Sequence, residues 1–78
     1  MVIKLTEHAL KQMKIREINL KEIIKTLNNP EKITNDSYGN AVAQKLFGPQ
    51  LLRIVFYQKD NEKIIITMYK TTRLKKYI

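Results

Sequence analysis

The chain has 78 residues, with 15 Lys+Arg against 7 Asp+Glu (net +8), one histidine and no cysteine. Without thiols there is no disulfide or iron–sulfur support, and a zinc centre would have to be built mostly of carboxylates, so no metal and no cofactor is expected. The charge predicts attraction to nucleic acid, anionic lipid or an acidic protein.

The length makes one domain, residues 1–78. A chain of this size buries only about 60% of its unfolded surface. Stability must then come from good packing or from self-association as a homodimer. No apolar run approaches the roughly 18 residues of a membrane span. Met1 to Leu5 is too short for a signal-peptide core. The reading is a soluble, cytoplasmic protein with no membrane partner.

Val2 to Leu5 reads as a short strand. Thr6 is an N-cap residue, with Leu5 and Leu10 placed as a hydrophobic staple. A helix from Glu7 to about Arg16 follows, with Ala9, Leu10 and Met13 as its buried stripe. Asn19 caps a second helix, and Glu22 three residues on completes a capping-box pattern. Ile18 and Ile23 form a second staple. Leu20, Ile23, Ile24 and Leu27 keep the i, i+3, i+4, i+7 spacing of one apolar face. Asn28-Asn29-Pro30 ends the helix.

After Pro30 the period changes to alternation. Strands are predicted at Glu31–Ser37, Asn40–Phe47, Leu51–Gln58 and Lys63–Thr71. The turn signals Tyr38-Gly39, Gly48-Pro49 and Asp60-Asn61 separate them. Short connections make neighbouring strands antiparallel. In the third of these strands Leu52, Ile54 and Phe56 oppose Arg53, Val55 and Tyr57. In the fourth, Ile64, Ile66 and Met68 oppose Ile65, Thr67, Tyr69 and Thr71. The expected fold is a two-layer α+β domain: a short N-terminal strand, two helices, then a four-stranded antiparallel meander.

Several groups suit chemistry on a phosphodiester. His8 can move a proton near neutral pH, though a histidine here equally serves to close a helix start. His8, Gln12 and Arg16 make an i, i+4, i+8 ladder on the first helix, which is also the pattern of a solvated face. Tyr69, Thr71 and Arg73 alternate along the last strand, so a phenol, a hydroxyl and a guanidinium share one edge. Tyr and Thr are also simply good strand formers. Lys70, Arg73, Lys75 and Lys76 cluster beside Tyr77, cations for phosphates next to a ring that stacks on an unpaired base. There is no glycine-rich phosphate loop, since Gly39 and Gly48 are the only glycines. Ser37, the sole serine, stands beside a turn rather than in a nucleophile elbow.

Thr6-Glu7-His8-Ala9-Leu10-Lys11-Gln12-Met13 with Arg16-Glu17-Ile18 resembles the opening of a widespread family of small toxin-like domains, whose members read T-x-H-A-x-x-R-M-x-x-R-G-I. Ile66-Thr67-Met68-Tyr69-Lys70-Thr71-Thr72-Arg73 with Lys76-Tyr77 is similar to that family's closing strand and tail. Two positions depart from the pattern. Gln12 stands where the family has Arg, which removes a cation beside His8, and Glu17 stands where it has Gly. The resemblance implies the fold of the barnase–EndoU–colicin–RelE group of small ribonucleases. It also implies metal-independent RNA cleavage by attack of the ribose 2′-hydroxyl on the adjacent phosphate, as in the toxin of a toxin–antitoxin pair.

On that reading His8 transfers protons, Arg53 or Arg73 offsets phosphoryl charge, and Tyr69 and Thr71 donate hydrogen bonds. Gln12, Arg16, Lys70, Lys75, Lys76 and Tyr77 would hold the RNA. The reading requires His8 and the Tyr69/Thr71/Arg73 edge to face one concavity. The alternatives are a non-catalytic RNA-binding module and an interaction protein whose basic face docks an acidic antitoxin-like partner.

Overall fold

The computed structural model describes residues 2–77. The fold is α+β: an N-terminal strand, helices and a five-stranded mixed sheet. The elements are β1 (Val2–Leu5), α1 (Glu7–Ile15), α2 (Leu20–Asn28), β2 (Lys32–Asn35), β3 (Ala41–Phe47), β4 (Gln50–Lys59), β5 (Glu62–Thr71) and a short α3 (Leu74–Tyr77). The sheet order is β1-β5-β4-β3-β2. β2 to β5 pair antiparallel in succession, and β1 adds parallel to β5 at the edge. The parallel pair follows from the connection: α1, α2 and the whole meander intervene between β1 and β5.

Both helix starts are capped as their sequences predict. The Thr6 hydroxyl accepts from the Ala9 amide at 3.1 Å. At α2 the Asn19 side chain accepts from the Glu22 amide at 2.9 Å, and Glu22 accepts from the Asn19 amide at 3.1 Å. The last two of the three hairpin turns bring positive φ at Gly48 (62°) and Asp60 (55°), immediately after β3 and β4. Glycine adopts that backbone freely, and an Asp tolerates it.

Residues directly opposite across paired strands share a sheet face. On one face Ala43, Ile54 and Met68 form a row, and Ala41, Phe56 and Ile65 form another, continued on β1 by Leu5. These residues pack with Ala9, Ile18, Ile23 and Leu27 of the helical layer. On the other face Thr34, Val42, Val55 and Thr67 form a row, and Lys32, Gln44, Arg53 and Tyr69 form the next.

The β5 alternation departs from the sequence reading. Val55 pairs with Thr67 but Phe56 pairs with Ile65, so Ile66 is an extra residue in a β-bulge. The bulge resets the parity: Ile65 and Met68 both face the helices and are fully buried. Thr67, Tyr69 and Thr71 keep the opposite face, and Ile64 joins it. The Ile66 carbonyl accepts from the Thr6 hydroxyl at 3.1 Å, and the Ile65 carbonyl accepts from the Thr6 amide at 3.1 Å. One threonine thus caps α1 and ties its start to the bulge.

Three helix positions also differ from expectation. Leu10, read as part of a buried stripe, is 44% exposed, and Leu20 and Ile24 are exposed on α2. Thr26 takes the interior place instead, its hydroxyl donating to the Glu22 carbonyl at 2.8 Å. That back-bond satisfies the hydroxyl inside the layer.

Candidate nucleic-acid interface

The face of the sheet turned away from α1 and α2 carries the polar row Lys32–Gln44–Arg53–Tyr69, one residue from each of four adjacent strands. α3 comes back over this row. Arg53 sits at its centre. Its Nε donates to Gln44 Oε1 at 3.2 Å and its Nη1 donates to the Tyr69 hydroxyl at 2.6 Å. The Gln44 amide donates to the Tyr77 carbonyl at 3.0 Å, so a 4% exposed glutamine has both ends of its side chain satisfied. The Tyr77 ring lies over the guanidinium, 4.0 Å from Cζ to the ring centroid. That is cation–π geometry.

A guanidinium has five N–H donors. Gln44 and Tyr69 engage two of them. Among the described residues no carboxylate pairs with Arg53. The cation is therefore oriented by neutral groups and keeps N–H donors that these side chains do not engage.

The two phenols beside it are driven apart. The Tyr69 hydroxyl donates to the Tyr77 hydroxyl at 3.5 Å. Burial raises the pKa of Tyr69, and its bond to Tyr77 adds to the rise, while Arg53 opposes it. Tyr77 moves down, first because Tyr69 donates to it, and further because Lys76 and Arg53 favour its phenolate. The two neighbouring phenols thus shift in opposite directions, Tyr77 towards easier and Tyr69 towards harder loss of its proton.

The residues singled out in the sequence divide between the two layers. Arg53, Tyr69 and Tyr77 meet on the open face. Thr71 shares that face, opposite Leu51, and its hydroxyl accepts from the Arg73 amide at 3.0 Å. Arg73 is exposed in the link to α3, and Lys75 and Lys76 are exposed on it. The Lys76 ammonium stands 5.4 Å from the Tyr77 ring centroid.

His8 is exposed at the start of α1, in the layer that covers the opposite face. Among the described residues no hydrogen bond joins it to Arg53, Tyr69, Thr71 or Arg73. The single concavity expected for His8 and the last strand is thus not formed. The physical reason is that α1 packs its Ala9 side against the apolar face, while strand alternation sends Tyr69 and Thr71 to the other. Gln12 and Arg16 are on α1 as well, joined by a 2.7 Å bond from Arg16 Nε to Gln12 Oε1. Lys70, opposite Leu52, is on the helix side and its ammonium pairs with Glu22 at 3.1 Å.

The sequence pattern does not single out Gln44 or Lys32. A polar residue between Ala43 and Lys45 in an alternating strand is a weak signal. Its burial arises only because Arg53 and α3 close over it.

Fold and site together define a small basic α+β domain with an arginine–tyrosine cluster on the sheet face opposite α1 and α2. The chain belongs to the family described as a domain of unknown function (DUF4258), matched over residues 5–70. The matched residues include Gln44, Arg53 and Tyr69 and stop before Tyr77. No curated protein and no solved structure matches the chain. Among the described residues no helix is long and apolar enough to cross a membrane.

Proposed function

We propose that this protein is a small metal-independent endoribonuclease of the RelE-like group, acting on RNA bound to the open face of its sheet. The observation that carries the reading is Arg53: a half-buried cation held by Gln44, Tyr69 and Tyr77, with no acidic partner among the described residues. A charge kept unneutralised at this cost suits a phosphate. The net charge of +8 brings the polyanion to it.

The chemistry follows from the three side chains. Tyr77, in its phenolate form, takes the proton of a ribose 2′-hydroxyl, and the 2′-oxygen attacks phosphorus. The bond from phosphorus to the 5′-oxygen breaks, leaving a 2′,3′-cyclic phosphate on one fragment. Tyr69 gives its proton to the departing 5′-oxygen. Arg53 donates its spare N–H groups to the non-bridging oxygens, where charge builds in the transition state. His8 has no part in this step. The toxin role belongs to the same proposal, an acidic antitoxin-like protein being the kind of partner that would cover this basic face.

The test is cleavage of total RNA in EDTA by the wild type, Arg53→Gln and His8→Ala. EDTA-resistant cleavage is expected, lost by at least 100-fold in Arg53→Gln and kept in His8→Ala. Full activity in Arg53→Gln with an intact circular dichroism spectrum overturns the assignment. Salt-sensitive binding with no turnover by any form supports the non-catalytic RNA-binding module instead.

A further inference from the structure

The polar row does not end at Gln44. Beyond it lies a cavity of about 360 Å³ lined by Glu31, Lys32, Gln44, Leu46 and Leu51. Gln44 and Leu46 are two apart on β3 and opposite Arg53 and Leu51 on β4, so the cavity opens on the same face as the arginine. Gln44 is the shared wall: it lines the cavity and accepts from Arg53 Nε.

Of the two lining leucines, Leu46 offers apolar surface to the pocket and Leu51 backs it. Leu51 is 1% exposed and fixed in the sheet, while Leu46 is 37% exposed at the mouth. Two charged groups of opposite sign stand at the rim. Glu31 Oε1 accepts from the Leu46 amide at 3.2 Å, which anchors the carboxylate and leaves Oε2 for a ligand. Lys32 opposes Gln44 and shares its face. A small, largely apolar cavity with one acceptor and one donor at its edge is the form of a ligand site.

Resting on the RNA reading above, we infer that this cavity seats a guanine base of the strand whose phosphate is held by Arg53. Continuity with Arg53 identifies the occupant as part of the same polyanion. Lys32 and Arg53 are two strand spacings apart, about 10 Å, the reach of a nucleotide from its phosphate to its base edge. An unpaired base is read through its Watson–Crick edge while its face rests on side chains. Guanine presents two adjacent donors, N1–H and the N2 amino group, to Glu31 Oε2, and its O6 to the Lys32 ammonium. Adenine and cytosine present one donor group there, and uracil a single N–H between two carbonyls.

The experiment uses the full chain and fluorescence anisotropy with 2′-fluoro pentanucleotides, which lack the attacking hydroxyl. One is all adenine, and three carry guanine, cytosine or uracil at the centre. The wild type is expected to bind the guanine strand at least ten-fold tighter than the other three. Glu31→Gln keeps an oxygen for the Leu46 amide and is expected to bring the guanine strand down to the affinity of the adenine one. Equal binding of all four by the wild type overturns the guanine site and leaves the RNA reading standing. No binding of any strand at low salt overturns both, and a guanine preference that survives Glu31→Gln overturns the assignment to this cavity. Should Glu31→Gln fail to fold, titration of the wild type with guanosine 5′-monophosphate decides. Amide shifts at Gln44 and Leu46 are expected, and shifts confined to other residues overturn the site.

Discussion

Two cations from neighbouring rows of β4 and β5 are treated in opposite ways on the two faces of the sheet. Lys70, on the helix-covered face, is paired with Glu22, and both side chains are 16% exposed. Arg53, on the open face, is held by an amide, a phenol and a ring, all uncharged. A cation inside the packed layer gains a counter-charge, because an unpaired charge there is strongly destabilising. On the proposed RNA reading, Arg53 gains orientation without neutralisation and so stays free for a phosphate. Substitutions on the two faces should therefore separate stability from function.

After the loss expected in Arg53→Gln, the largest effect is expected at Tyr77. Tyr77→Phe removes the base and keeps the ring over Arg53, so cleavage should fall by about 100-fold with stability little changed. The pH dependence sharpens this. The downward shift of Tyr77 places the rising limb of the rate below the ordinary phenol range, and the upward shift of Tyr69 places the falling limb above it. The rate should rise with pH as Tyr77 loses its proton and fall once Tyr69 does. Loss of the rising limb in Tyr77→Phe identifies the base. An unchanged profile assigns the proton transfer elsewhere.

On the covered face the readout is stability. Lys70→Met leaves Glu22 without its ion partner and should cost about 2 kcal/mol, less than a fully buried pair because the side chains retain some exposure. RNA cleavage should survive at a temperature where the variant is folded. Burial works to raise the Glu22 pKa, but the Asn19 amide and the Lys70 ammonium outweigh it and hold it below the usual carboxylate range. A carboxyl depressed in the folded state contributes stability above its unfolded pKa, and that contribution is lost as pH falls through the folded value. The acid limb of a thermal-melt series should therefore flatten in Glu22→Gln. A Lys70→Met protein as stable as the wild type would remove the contrast between the two cations.

Lys75 and Lys76 are exposed beside the open face and bring charge rather than geometry. Neutralising either to Gln should weaken binding of any RNA sequence by two- to three-fold and lower the slope of log K against log salt by about 1. A larger loss, or one confined to guanine-bearing strands, would move these lysines from steering to recognition.

How much of this was legible in the sequence depends on where the signal is local. Thr6, Asn19 and Glu22 announce their helix starts because a cap is made within three residues. The alternation of Leu52, Ile54 and Phe56 with Arg53, Val55 and Tyr57 announces which face each takes. The run Ile64-Ile65-Ile66 is apolar at every position, so the bulge that resets β5 leaves no mark on the pattern. Leu10, Leu20 and Ile24 lie beside true core positions, and their exposure depends on how far each helix is rotated over the sheet. α3 is four residues long with two lysines, and its place is decided by Tyr77 reaching Arg53 and Gln44. The candidate site was legible as residue types and not as a meeting place. Arg53 and Tyr69 come together through strand pairing 16 residues apart, whereas His8 was joined to them by resemblance alone.

The smallest effect is expected at Glu17, where the chain departs from the family pattern at the turn between the helices. Glu17 has φ 53°, a left-handed backbone. The Ile18 amide donates to the Met13 carbonyl at 2.9 Å and the Glu17 amide to the Lys14 carbonyl at 3.3 Å, the pair of bonds that closes a Schellman motif. The left-handed position of that motif favours glycine, and a residue with a Cβ there costs about 1–2 kcal/mol. Glycine also loses more freedom on folding, by roughly 0.5–1 kcal/mol. The net expectation for Glu17→Gly is a gain of about 0.5 kcal/mol, read as a rise in the denaturation midpoint with the slope unchanged. The turn is in the helical layer, so cleavage and guanine preference should stay at wild-type values. A stabilised protein that had lost RNA cleavage would show that the covered layer bears on the open face after all.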